Sequence, residues 1–245
     1  MRRTVVILLS VVVALATCST LRADDPSEAA ALVEKGLKFN GGREKVAKYK
    51  AMSWKEQGTY YGAGDGQPYT GAYSLQWPDK FRMEIQGVFT IVLNGDNGWI
   101  NMAGAVQEMT AEQLAEQREN NYSGWVASLT PLNDKAYKLS LLGGTNVADR
   151  PALGVNVKHE GHRDVQLYFD KETGRLVKSE SRVKSQEMGG KEVTQETFYS
   201  EYREVDGMQV PKKIAIKRDG SKFVEAEIND LMNFEKLDDS TFGKP

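Results

Sequence analysis

The hydrophobic pattern of the chain changes its period near residue 50. Residues 26–49 carry apolar side chains at helical spacing, and the pair Gly41 and Gly42 interrupts that pattern before a second short turn. From Met52 onward apolar positions alternate with polar ones, which is the spacing of strands with one buried face. The pattern predicts a helical N-terminal segment, broken at the two glycines, followed by antiparallel sheet.

One further helix is predicted in the middle of the chain, over residues 110–129. Thr110 and Gln113 have the T-x-x-Q spacing of a capping box, in which each side chain accepts from the other residue's backbone N–H. After Pro131 the period returns to two, and dipeptides such as D-G and T-G mark hairpin turns. We count about ten strands in meander order. This order predicts one α+β domain, residues 24–245, built on a strongly curved antiparallel sheet.

Two successive runs of the predicted sheet carry a large apolar face. Residues 77–87, WPDKFRMEIQG, alternate apolar side chains with charged or amide ones, and residues 88–102, VFTIVLNGDNGWINM, continue the apolar series. The members of this series are Phe81, Met83, Ile85, Phe89, Ile91, Leu93 and, beyond a turn, Trp99. A close-packed core and the lining of a cavity for an apolar ligand both need such a face. The pattern leaves these two interpretations open.

The first residues of the chain predict export. Arg2 and Arg3 precede an apolar run from Val5 to Ala16, and the small residue Ala23 stands just before an acidic segment. This is the order of a secretory signal peptide, and the run is too short to span a bilayer well. We expect a signal peptide over residues 1–23, cleavage after Ala23, a periplasmic location and no transmembrane anchor in the processed chain.

A second mode of processing stays open. The stretch LATC, which ends at Cys18, resembles the lipobox of bacterial lipoproteins, in which the cysteine is acylated, although Thr17 stands where that box usually has Gly, Ala or Ser. Cleavage after Ala23 removes Cys18, the single cysteine of the chain. The mature protein then has no disulfide, no thiol nucleophile and no thiolate metal site.

Composition and motifs disfavour several classes of function. The formal net charge is −2 without a block of Lys or Arg, which disfavours a nucleic-acid partner. His159 and His162, in HEGH, lack the spacing of a helical zinc motif, so we expect exposed turn histidines and no metal. Strand carboxylates such as Glu225 and Glu227 alternate with apolar residues, as on a solvated face. No nucleophile elbow, phosphate loop or calcium loop is recognised, and we expect neither catalytic residues nor a cofactor.

Several segments resemble a known family. Residues 77–102 resemble the signature of the LolA-like outer-membrane lipoprotein carriers, and LYFDKETGRLVKSE (167–180) resembles their later strand–turn–strand segment. YREVDGMQVPKKIAIK (202–217) and LDDSTFGKP (237–245) resemble the end of the wider lipoprotein-sorting superfamily. The resemblance covers residues 28–245 and consists of turns and apolar strands, which indicate a fold better than an activity.

The resemblance implies an unclosed half β-barrel whose hydrophobic concave side is covered by helices and holds lipoprotein acyl chains. It implies ligand contacts for the apolar series above, for Trp77, and for Leu114, Trp125 and Leu129 of the covering helix. An acyl chain needs area and shape, at about 0.8 kcal/mol per buried CH₂. Dedicated carriers have an arginine immediately before the signature proline, and here Trp77 takes that position. The lid switch of those carriers is therefore not expected in this chain.

Three classes of function are compatible with these features of the sequence. The first is an exported, monomeric carrier or binding protein that holds a lipid or lipoprotein acyl chain and does no chemistry. The second is an envelope sensor or interaction module of the same fold, with an envelope protein as its partner. The third is a hydrolase with an unrecognised carboxylate site.

Overall fold

The computed structural model describes residues 26–185 and 188–245. The predicted signal peptide (residues 1–23), its cleavage site after Ala23 and the lipobox cysteine Cys18 lie outside the described residues, so export and processing stay predictions. Among the residues described, no helix combines the length and the apolar character needed to cross a membrane.

The described part of the chain begins with two helices and has a third between two series of strands. The helices are α1 (Pro26–Phe39), α2 (Arg43–Lys48) and α3 (Ala111–Ala127), with short 3-10 turns at Thr130–Asn133 and Asp239–Phe242. The strands are β1 (Ala51–Tyr60), β2 (Gln67–Gln76), β3 (Lys80–Ile85), β4 (Phe89–Asn94), β5 (Asn97–Met102), β6 (Ala105–Glu108), β7 (Lys138–Val147), β8 (Arg150–Lys158), β9 (Val165–Asp170), β10 (Leu176–Ser185), β11 (Lys191–Val205), β12 (Met208–Arg218) and β13 (Ser221–Phe234).

All these strands form one antiparallel sheet in the order β6-β5-β4-β3-β2-β1-β13-β12-β11-β10-β9-β8-β7. Strands β1 and β13 pair at its centre, and each half of the sheet is a meander of sequential strands. Helix α3 lies in the connection from β6, at one edge, to β7, at the other. The sheet is strongly curved and not closed into a barrel. The predicted α+β fold and the meander order are confirmed.

The predicted number of about ten strands is too low, since the sheet formed by residues 26–185 and 188–245 has 13. The prediction does not count the strands of the β5–β6 hairpin, the second of which has only four residues. The segment of β5 and β6 is rich in residues with low strand propensity, and pairing with the neighbouring strands supplies the order that propensity does not.

Helix α1 ends at the two glycines, as predicted. Gly41 and Gly42 have φ values of 109° and 92°, a region that is open to glycine and costly for other residues. A Cβ atom at position 41 would lie 2.5 Å from the backbone oxygen of Gly207. The turn after α1 therefore packs directly on the turn between β11 and β12, and no side chain fits between them.

The helices pack on the concave face and build the main core over one half of it. The buried members of this core come from α1, α2, α3, the 3-10 turn that follows α3, β8–β10 and β12. Gly36 of α1 lies so close that a Cβ atom there would be 2.7 Å from the Phe169 ring and 2.9 Å from Leu129. Leu129, predicted as a ligand contact, is fully buried within this core. The concave face of β1–β5 contributes no buried residue to it.

The C-terminal 3-10 turn covers part of the convex face. Phe242 is fully buried, and the side-chain amide of Asn94 donates to its carbonyl oxygen at 3.2 Å. Val92 and Leu93 are adjacent in β4, point to opposite faces and are both fully buried. The part of β4 around these two residues is thus covered on both sides.

Candidate binding face and its helical cover

Strands β3 and β4 bring the predicted apolar series together on the concave face. The cross-strand partners are Phe81 with Leu93, Met83 with Ile91 and Ile85 with Phe89. Directly opposite residues of an antiparallel pair share one face of the sheet. Leu93 is fully buried, whereas the other five are half-buried. We call these five residues the apolar wall: Phe81, Met83, Ile85, Phe89 and Ile91.

The neighbouring strands extend the apolar wall in both directions. Tyr73 of β2 lies opposite Met83, and Ile100 of β5 lies opposite Ile91. Met102, at the rim of the same face, leaves 58% of its surface exposed. The apolar face therefore spans four strands and reaches solvent at its edge.

Trp99 is not on this face. It lies opposite Val92, which points to the convex side, whereas Leu93 points to the concave side. The two-residue turn Gly95–Asp96 sets this register. A shift of one residue moves a side chain to the other face, so the apolar series of the sequence divides at this turn.

Helix α3 lies over the edge of the apolar face. Leu114 packs beside Gly98, the partner of Leu93, because a Cβ atom on that glycine would be 3.0 Å from a Leu114 methyl carbon. Near the other end of the helix, the rings of Trp125 and Trp77 lie with their centroids 5.4 Å apart. The structure therefore brings Leu114, Trp125 and Trp77 to the border between α3 and the sheet.

Charged side chains attach α3 to the opposite half of the sheet. Glu116 is only 8% exposed, and its carboxylate accepts from the Arg163 guanidinium at 2.7 and 2.9 Å and from the backbone N–H of Lys184 at 2.7 Å. Burial alone would raise the pKa of Glu116, but Arg163 and this N–H outweigh it and hold the pKa below its usual value. Lys184 Nζ also lies 2.7 Å from Glu112 Oε1. We call these four residues the α3 clamp.

His162 makes a further contact with α3. Its Nδ1 lies 2.7 Å from Glu119 Oε1, and its ring stacks on Tyr122 with the centroids 3.8 Å apart. The predicted turn is confirmed, since the His162 N–H donates to the His159 carbonyl oxygen at 3.2 Å. The side chain, however, is not simply solvated. Within the described ranges, no three His, Cys, Asp or Glu side chains form a group that could hold a metal ion.

A polar group that the sequence analysis did not single out lies on the concave face. Glu56 of β1 is 3% exposed. Its Oε1 accepts from the hydroxyls of Tyr69 and Tyr73, each at 2.6 Å, and its Oε2 accepts from Trp54 Nε1 at 3.2 Å. The alternation of β1 could have indicated this site, because it places Glu56 on the same face as the apolar residues Met52 and Trp54.

Two open clefts lie away from the apolar wall. One, of about 560 Å³, is lined by Ala115, Arg118, Glu119, Gly161, His162 and Arg163, between α3 and the β8–β9 turn. The other, of about 470 Å³, lies along β7 and β8 and includes Gly144 and Leu153. Neither cleft includes a residue of the wall.

Comparison with known proteins gives information about the fold alone. No family model matches the sequence, and no curated protein matches it. A LolA superfamily protein from Nitrosomonas europaea is similar in structure, with 14% identity, a TM-score of 0.57, and coverage of 88% of this chain and 97% of that chain. A DUF1329 family protein from Desulfovibrio piger has 12% identity and a TM-score of 0.60, with 89% of this chain and 98% of that chain covered.

A third similar structure is a domain from Vibrio parahaemolyticus described as an outer membrane lipoprotein-sorting protein. It has 14% identity and a TM-score of 0.53, and the match covers 86% of this chain and 97% of that domain. Identities this low show a common fold and nothing finer. The resemblance seen in the sequence is confirmed at that level: this chain has the fold of LolA superfamily and lipoprotein-sorting proteins.

Proposed function

We propose that this protein binds a lipid or lipoprotein acyl chain on the apolar wall beside α3 and carries it without catalysis. One observation carries the proposal. The side chains of the wall share a concave face, lie outside the main core and remain half-buried. A protein that only needed to fold would gain by burying such a face completely.

The chemistry of the wall suits a flexible hydrocarbon. An acyl chain offers no directional hydrogen bonds, so its affinity comes from area removed from water, at about 0.8 kcal/mol per buried CH₂. The wall supplies aromatic and branched aliphatic side chains, and Met83 lies at its centre. Methionine is unbranched and adapts to differently shaped ligands.

The fold and the predicted export support a carrier role. Two of the similar structures are a LolA superfamily protein and a domain described as a lipoprotein-sorting protein. The N-terminal pattern predicts delivery to the periplasm. There, an exported protein with an apolar face could move a lipid or a lipidated protein through water.

The partners of Glu56 favour binding over hydrolysis. Acid–base catalysis uses groups whose pKa values lie near the working pH. The groups that donate to Glu56 belong to two tyrosines and a tryptophan. Burial, followed by the charge of Glu56, raises the pKa of Tyr69 and of Tyr73 well above the ordinary tyrosine range. Neither hydroxyl is an effective acid near neutral pH.

The experiment that tests the proposal is mass spectrometry of lipids that co-purify with the exported protein. We expect an acyl-bearing lipid or lipopeptide to be retained through gel filtration and released by organic extraction. The variant Met83→Gln should retain less of it, whereas Glu84→Gln, on the exposed convex side of the same strand, should retain as much as the wild type. Absence of any acyl-bearing species, together with no saturable uptake of added fatty acid, would refute the proposal.

A further inference from the structure

Glu56 is a buried carboxylate whose hydrogen-bond partners are neutral. It lies at the centre of the sheet, on β1, where β1 pairs with β13 and β2. Its hydrogen bonds come from hydroxyl and indole groups, and no basic side chain of the described residues forms an ion pair with it. Burying a carboxylate without a cation is costly, and an apolar residue of similar size would stabilise the sheet more. Folding alone does not explain the charge.

The sheet is shaped to hold this group. Gly71 lies opposite Glu56, and Gly58 lies opposite Tyr69. A Cβ atom on Gly71 would be 2.6 Å from the Tyr73 ring, and one on Gly58 would be 2.9 Å from the Tyr69 ring. Both tyrosine rings therefore occupy space that only glycine leaves free. We call Glu56, Trp54, Tyr69 and Tyr73 the Glu56 cluster.

The Glu56 cluster offers acceptors and aromatic faces to one kind of ligand. An ionised carboxylate has about four lone-pair sites; three donors occupy three of those of Glu56, which leaves one site on Oε2. The tyrosine hydroxyls stay protonated and use their hydrogens on Oε1, so each oxygen keeps lone pairs for another donor. Trp54 and Tyr73 stack with centroids 4.9 Å apart. Negative charge beside aromatic rings attracts an organic cation.

The cluster also adjoins the apolar wall. Tyr73 belongs to the cluster and lies opposite Met83 of the wall. A ligand whose hydrocarbon part covered Met83 would therefore bring its polar end to the cluster. An anionic end would be repelled by Glu56, whereas a cationic end would neutralise it.

The geometry points to the Glu56 cluster as the recognition site for the protonated amine of an amphiphilic ligand whose hydrocarbon part lies on the apolar wall. This inference rests on the proposed function, which supplies the hydrocarbon site. The entering amine donates to the lone-pair site that remains on Oε2, beside the Trp54 N–H at 3.2 Å, and leaves both tyrosine hydroxyls in place. Cation and carboxylate then form a charge-assisted hydrogen bond away from water.

The test compares three ligands of equal chain length: decylamine, decan-1-ol and decanoate. Each is titrated against a neutral fluorescent apolar probe bound to the full chain at neutral pH, where the amine is protonated. We expect decylamine to bind about tenfold or more tightly than decan-1-ol, and decanoate to bind most weakly. Glu56→Gln should remove the preference for the amine and leave the affinity for decan-1-ol unchanged. The control Glu84→Gln should keep the preference.

The outcomes separate this inference from the proposed function. Binding of decan-1-ol without preference for decylamine, or a preference that survives in Glu56→Gln, would overturn the inference and leave the carrier proposal standing. No displacement by any of the three ligands would contradict both. If Glu56→Gln does not fold, Tyr69→Phe keeps the ring and removes one acceptor. It should reduce the preference for decylamine, and an unchanged preference would count against the site.

Discussion

Trp77, immediately after β2, and Trp125 of α3 lie with ring centroids 5.4 Å apart and planes tilted by 39°. Gly124 allows this approach, since a Cβ atom there would be 3.0 Å from the Trp77 ring. In the LolA-like carriers that the sequence resembles, an arginine stands at the position of Trp77 and bonds to the lid. In this chain an aromatic contact joins the sheet to α3 instead. Such contacts contribute about 0.5–1.5 kcal/mol beyond the area they bury.

Removing that contact should loosen α3. We expect Trp77→Ala to lower the free energy of unfolding by about 1–3 kcal/mol, because a large half-buried ring is lost. Amide hydrogen exchange in residues 111–127 should become faster. Trp77→Phe should restore most of the protection. Trp99→Ala, on the convex face, serves as the control that destabilises the sheet without accelerating exchange in α3; equal acceleration in both variants would contradict the role of Trp77.

The α3 clamp should make the protein sensitive to acid. The pKa of Glu116 in the folded protein lies below its unfolded value of about 4.3, so its ionised form stabilises the fold. That contribution is fully present above about pH 4.3 and is lost as the pH falls through the folded pKa. Glu116→Gln should lower the melting temperature at neutral pH and flatten its decline in acid.

Thermal melts across this pH range measure the effect. Glu112→Gln is the matched control, because Glu112 is an exposed member of the same clamp and exposed ion pairs contribute little. If Glu116→Gln reproduced the acid profile of the wild type, Glu116 would not be the group that titrates.

The alternation within a strand could be read from the sequence, but the register between strands could not. The period-two pattern places Phe81, Met83 and Ile85 on one face, and the structure keeps them there. Trp99 lies beyond a turn, and only the pairing of β5 with β4 decides that it points to the convex side. The pairing of β1 with β13 joins segments from opposite ends of the chain, which no local pattern specifies.

The surroundings of Glu56 also could not be predicted from the sequence. Its place among apolar residues of β1 is visible in the sequence, whereas the partners that hold it are not. Tyr69 and Tyr73 reach it because β2 pairs with β1 in a register that sets Gly71 opposite Glu56. A carboxylate on an apolar face is thus a signal for a site, and the register of its hairpin decides what surrounds it.

His162 should contribute more to stability than an exposed turn residue would. Its ring stacks on Tyr122, and its Nδ1 contacts Glu119. We expect His162→Ala to cost about 0.5–1.5 kcal/mol, measured by chemical denaturation. Glu160→Ala, in the same turn, should cost less than about 0.5 kcal/mol. If both substitutions had equally small effects, His162 would be a solvated turn residue and this prediction would be wrong.

Processing can be checked directly. Signal cleavage after Ala23 predicts a mature chain that starts at Asp24 and carries no added mass. Intact-mass measurement of protein secreted by a native-like host distinguishes this form from the alternative. A chain that begins at Cys18 with the mass of attached acyl groups would show a membrane-tethered protein instead.

Equilibrium binding of a fluorescent fatty-acid probe to the wild type and to Met83→Gln tests the central claim most directly, with a thermal melt of each protein. We expect saturable binding by the wild type and about tenfold weaker binding by the variant, with little change in melting temperature because Met83 lies on a half-buried face. Glu84→Gln should match the wild type in both measurements. If the wild type bound no probe and Met83→Gln lost about 1–3 kcal/mol of stability through its buried amide, the apolar wall would be a packed core and the account would be contradicted.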